Sequence, residues 1–79
     1  MNPRTFKPHW NEQPSNQIFQ VFDANLCIGA WNSLSKALAE AKKHKGATID
    51  IGDEFSAREL GFVKAVFVRH MTAQEVLDA

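Results

Sequence analysis

His9, His44 and His70, together with Cys27, are the side chains of this chain that could ligate a transition metal or supply a nucleophile. No two of them stand at a ligand spacing such as Cys-x-x-Cys or His-x-x-x-His. They fall on a proline-rich arm, a helix end and a strand end, with Cys27 in mid-strand. Solvated or capping roles are therefore expected of the histidines. Cys27 is expected to behave as a small buried hydrophobe. Asp50, Asp53 and Glu54 form an acidic cluster after a strand. Carboxylates so placed can hold Mg²⁺ for phosphoryl chemistry, with Lys64 or His70 assisting. A metal-dependent hydrolase is one reading of that cluster. A solvated turn is the simpler one, since the spacing matches no metal motif. There is no Gly-x-Ser-x-Gly. The glycines, Gly29, Gly46, Gly52 and Gly61, are too dispersed to cradle a phosphate. The residues thus indicate no enzyme, no cofactor and no metal.

Charge is the stronger signal. Nine basic residues balance nine acidic ones, against a DNA binder that acts by bulk charge. Yet the charge is segregated along the chain. Lys36, Lys42, Lys43 and Lys45 face a single acid, Glu40, within one ten-residue stretch. Asp50, Asp53, Glu54 and Glu59 face only Arg58 in another. The lysine run reads either as a helix end complementing its dipole or as a patch for an acidic protein or a phosphate backbone.

These residues must be positioned by a small fold. Seventy-nine residues leave room for one domain and one core. A lone cysteine forms no internal disulfide and fits a reducing compartment. No apolar run approaches the ~18–20 residues of a membrane span. The polar start, Met1 to Pro8, lacks a signal peptide's apolar stretch, so the expected location is cytoplasmic with no membrane contact.

Residues 1–16 hold all three prolines and read as an extended N-terminal arm. Phe6 and Trp10 are its large aromatics, and they suggest that the arm is docked or anchors a partner. Residues 17–79 read as one α+β domain. Ile18–Phe22 and Leu26–Trp31 form a hairpin, with Asn25 as its left-handed turn residue. Gly29 marks a bulge or a close approach, and Trp31 belongs to the core. Asn32-Ser33 caps a helix over Leu34–Lys45, whose apolar stripe is Leu34, Ala37, Leu38 and Ala41. Gly46 stands where a left-handed residue ends a helix. Ala47–Ile51 alternates as a half-wet strand. Gly52-Asp53-Glu54 is a turn, and Ser56–Glu59 opens one helical turn ending at Gly61. Phe62–His70 is the last strand. Thr72 and Glu75 form a capping box for a short C-terminal helix with Ala73, Val76 and Leu77 inward. The expected fold is α+β: a four-stranded, mostly antiparallel sheet, hairpin–helix–strand–strand, with the main helix on one face.

The last strand is apolar on both faces. Phe62, Val66 and Val68 line one, Val63, Ala65 and Phe67 the other. One helix layer covers one face, so the arm or a second molecule must cover the rest. A homodimer is the expected state, with Phe62, Val66 and Val68 as its apolar face.

From Ile28-Gly29-Ala30-Trp31 through the helix to Ala47–Ile51, the layout resembles a peptidoglycan-binding SPOR repeat, without that family's second glycine-containing strand end. The hairpin–helix–strands layout in so short a chain is also similar to small phage-encoded inhibitors such as anti-CRISPR proteins. The function expected is a small non-enzymatic binding module that acts by surface contact, with a protein as its partner. Its site would be Lys36, Lys42, Lys43, Lys45 and Trp10. A nucleic-acid-binding domain using Lys42–Lys45 is the alternative, and the hydrolase using Asp50, Asp53 and Glu54 the third.

Overall fold

The computed structural model describes residues 4–9, 17–57 and 63–79; the side chains of Thr5, residues 53–57 and Val68 are not among the features described. Its order is β1 (Arg4–Phe6), β2 (Ile18–Asp23), β3 (Leu26–Trp31), α1 (Leu34–Ala41), β4 (Thr48–Ala57), β5 (Val63–Met71) and α2 (Ala73–Asp78). The strands form one antiparallel sheet in the order β1-β5-β4-β2-β3. This is the α+β fold expected, with a fifth strand supplied by the arm. Trp10 and Phe62 lie outside the described residues.

Alternation along β2 makes two cores. Phe19 and Val21 face the helix, where Ala37, Ala41, Ala47, Ile49 and Val76 complete a buried cluster. The two helix alanines let the backbone of α1 lie close to the sheet. Ile18, on the opposite face, packs with Val63, Ala65 and Phe67. Phe6 closes that second cluster, its ring 5.7 Å from that of Phe67. The arm thus covers the apolar face of β5 formed by Val63, Ala65 and Phe67. No helix among the described residues is long and apolar enough to cross a membrane.

The arm also curls the sheet. Arg4–Phe6 pair with Val63–Ala65 at one edge. Three residues later, the amide of His9 donates to Ala30 at the other edge, 2.7 Å away. The His9 ring stacks on Trp31 at 5.1 Å. A segment that bonds both edges within six residues requires them to approach each other, so the sheet bends toward closure. Phe6→Ala should therefore loosen more than one contact. Phe6 is half-buried, so its loss should cost about 1 kcal/mol and lower the melting point by about 4–8 °C. Thermal unfolding, with faster hydrogen exchange at the His9 amide, checks this; an unchanged protein would mean the arm contributes nothing.

Four expectations are corrected. Gly52-Asp53-Glu54 is no turn: it lies inside β4, which pairs with β5 on both sides of it. The register skips Val68 on β5 and then Asp53 on β4, so two bulges compensate and the strand bends without ending. Gly52 serves this bend, because a Cβ there would meet Ile18 Cγ2 at 3.0 Å and the Val66 carbonyl at 3.1 Å. Second, Ser56 and Ala57 pair with Lys64 and Val63 as strand, not helix. The rest of that expected helical turn, residues 58–61, lies outside the described residues. Third, α1 stops at Ala41 rather than Lys45. Lys43 and His44 donate to Glu40 and Ala41, three residues back, so the last turn tightens before Gly46 at φ 81°. Fourth, the left-handed residue of the hairpin is Ala24, φ 55°, not Asn25.

Smaller features divide similarly. A bulge at Ile28 and a close approach at Gly29 both occur: a Cβ on Gly29 would stand 2.6 Å from the Trp31 ring. Trp31 is half-buried against the helix-face cluster. Thr72 and Glu75 form the capping box in both directions. Within the helix stripes, Leu34 and Leu77 are exposed while Ala37, Ala41 and Val76 are buried.

Candidate functional site

Asp50 stands on the wet face of β4, where the alternation places it. Across the ladder its neighbours are Gln20 on β2 and His70 on β5. The arm adds Arg4 from the sheet edge. Arg4 Nη1 donates to Asp50 Oδ2 at 2.7 Å and to Gln20 Oε1 at 3.1 Å. His70 Nδ1 lies 2.6 Å from Asp50 Oδ1. A carboxylate accepts only, so the proton of that bond sits on Nδ1 and Nε2 is left for another partner. Asp50, 17% exposed at its side chain, thus fixes two half-exposed groups at once. The guanidinium also lies over two rings, 4.6 Å from the centroid of Phe67 and 5.6 Å from that of Phe22. Gln20 spends its amide on Cys27, with Nε2 3.2 Å from Sγ.

The network borders an open cleft of about 240 Å³, lined by Arg4, Phe22, Ala24, Asn25, Thr48, Asp50 and His70. It lies at the hairpin end of the face opposite α1. Phe22 and Ala24 give it an apolar wall and the others a polar one. Next to it, the hairpin exposes Leu26, 69% accessible, and Cys27. Cys27 is therefore an exposed thiol and not the buried hydrophobe expected. A thiol opposite Phe22 near the hairpin tip has no packing layer above it, which mid-strand position alone does not reveal.

The sequence-derived candidates separate. His70 does join Asp50, as the acidic-cluster reading required. Asp53 and Glu54 are described in backbone alone, and Lys64 is exposed on β5. Among the described residues no group of three or more His, Cys, Asp or Glu could hold a metal ion. His44 pairs instead with Asp23 at 3.3 Å and lies 3.9 Å from Glu40. The lysines are spread over helix and turn. Lys36, Lys42, Lys43 and Lys45 are all exposed. Lys42 Nζ donates to the Ala79 carbonyl oxygen at 2.5 Å, and Lys43 pairs with Glu40 at 3.2 Å. Two of the four thus already have neighbours. Val66 is half-buried; the side chain of Val68 is not described.

Arg4, Gln20, Phe22 and Thr48 were missed as site residues. Arg4 and Asp50 are 46 positions apart, beyond any spacing motif. The period-two alternation of β4 and β2 was the available signal, since it puts Asp50, Gln20 and Phe22 on one face. No family model matches the chain, and neither a curated protein nor a solved structure matches it.

Proposed function

We propose that the chain is a small non-enzymatic binding module that acts by surface contact with a protein partner. The observation that carries this is Asp50 holding Arg4 and His70 beside the open cleft, next to the exposed Leu26 of the hairpin. Arginine and aromatic side chains held around a part-apolar cleft are what protein interfaces use as anchors. The reading includes action in the cytoplasm, as an inhibitor or regulator in the manner of small phage-encoded proteins. It also includes a two-fold dimer through Phe62, Val66 and Val68, which light scattering would contradict by returning the monomer's 8.9 kDa. Trp10 and the lysines would extend the contact surface. Capture from extract of the source cell, with nuclease present, tests the proposal: a discrete protein should be retained at physiological salt.

The second reading is nucleic-acid binding through the Lys42–Lys45 cluster, favoured by the shared exposure of Lys42, Lys43 and Lys45 beyond the C-terminal end of α1. Lys42→Glu with Lys43→Glu separates the two. The double reversal should alter stability by about 0.5 kcal/mol or less per site, because exposed changes usually do. If nucleic acid is the ligand, its affinity should collapse and the parent should show a steep salt dependence. Under the protein reading, association slows while dissociation changes little. Binding kinetics of both variants, at two salt concentrations, decide between them.

A further inference from the structure

We propose that the Arg4–His70 cleft is a receptor for a single carboxylate, the acidic side chain of a partner protein entering beside Phe22 and the guanidinium. This rests on the binding-module reading and names the group that the site recognises.

A guanidinium carries five N–H donors in a rigid fork. Nη1 gives its two to Asp50 and Gln20. Three donors, on Nε and Nη2, have no partner among the described residues. Arg4 is nonetheless held still: two acceptors fix one end, and the Phe22 and Phe67 rings support its plane. An arginine that lines a cleft and is anchored at one nitrogen has already lost much of its rotamer entropy. A ligand that meets it gains hydrogen bonds without ordering it again. Nε and Nη2 form the edge that matches the two oxygens of a carboxylate or phosphate.

Charge selects between those anions. Among the described residues of the network Asp50 offsets Arg4, so no run of positive charge gathers here. That suits a monoanion and not a polyanion. The cleft is also short and open, with Phe22 and Ala24 as apolar wall. Such a wall can lie along the methylenes of a side chain that protrudes from a folded surface. Thr48 and Asn25 on the rim provide further hydrogen-bonding groups. A phosphate backbone would need several cations in a row, and the described residues lining the cleft include one arginine.

Titration with N-acetyl-glutamic acid amide, which presents one side-chain carboxylate and no charged termini, tests the assignment. Its glutamine counterpart and inorganic phosphate are the comparison probes. Nuclear magnetic resonance would follow the Arg4 Nε–H and the His70 ring signals. The acid should shift both saturably, and its glutamine counterpart should bind at least about tenfold more weakly, because a charge-assisted bidentate contact is lost. Arg4→Lys keeps the charge but not the fork, and should weaken binding similarly. Should that variant disturb β1, seen as shifted Phe6 or His9 amides, His70→Gln is read instead and should weaken the acid without touching the arm. Absence of saturable shifts overturns the proposal, as does equal binding of the two probes or a retained affinity in the variants. Tighter binding of phosphate would also overturn it and point to a phosphorylated ligand. A chain that binds the acid but captures no protein keeps this site and loses the module reading. One that captures protein but ignores the acid does the reverse.

Discussion

Ile49→Ala is expected to destabilise the protein by about 2–5 kcal/mol and to lower its melting point by about 10 °C or more. Ile49 is fully buried on β4, between Val21 on one neighbouring strand and Met71 on the other. Above it lie Ala37 and Ala41, whose side chains are too small to move into the space left behind. The cavity therefore stays open, and the cost falls toward the upper part of the range. Leu34→Ala is the control. Leu34 is 41% exposed, and its removal should change stability by about 0.5 kcal/mol or less. Thermal and denaturant unfolding of both variants check the pair. Equal effects would contradict the placement of the core.

Asp50→Ala is expected to act twice. It removes the acceptor of both Arg4 and His70, one of them in a contact that ties the arm to the sheet. The stability loss should be about 1–2 kcal/mol, modest because Arg4 and His70 are half-exposed and water screens both interactions. The larger effect is positional. Arg4 loses one of the two acceptors that fix it, and His70 loses its orienting partner. Partner affinity should fall by at least about tenfold, and amides of β1 should exchange faster. Asp50→Asn keeps one acceptor oxygen and should fall between. Calorimetry and hydrogen exchange read the two effects separately. An alanine variant with unaltered exchange in β1 would contradict the linkage between site and arm.

Much of the fold was legible because its signals are local. The alternation of Ala47–Ile51, the capping box at Thr72 and Glu75, and the left-handed Gly46 each act over a few residues. What failed was set at a distance. Gly52-Asp53-Glu54 has turn chemistry, yet β5 continues alongside it and two compensating bulges absorb the bend. β1 has three residues and no period, and exists because β5 has an edge to pair with. The site followed the same division. Asp50 and His70 were picked out from the strand ends, and the structure joins them. Arg4 was not, since only the pairing of β1 with β5, the neighbour of β4, brings position 4 near position 50. Leu34 and Leu77 show the limit of periodicity: an apolar residue on the expected face remains exposed where no layer covers it.

Above all, the Arg4–Asp50–His70 face is proposed to bind a protein. Parallel capture from source-cell extract by the parent and by the double variant Arg4→Gln, Leu26→Asp tests it most directly, with nuclease present and circular dichroism confirming both folds. The parent should enrich a discrete protein that the variant loses, while Lys42→Glu, Lys43→Glu retains it more weakly. Equal capture by the parent and the Arg4, Leu26 variant would contradict the claim, as would material that disappears from the parent on nuclease treatment.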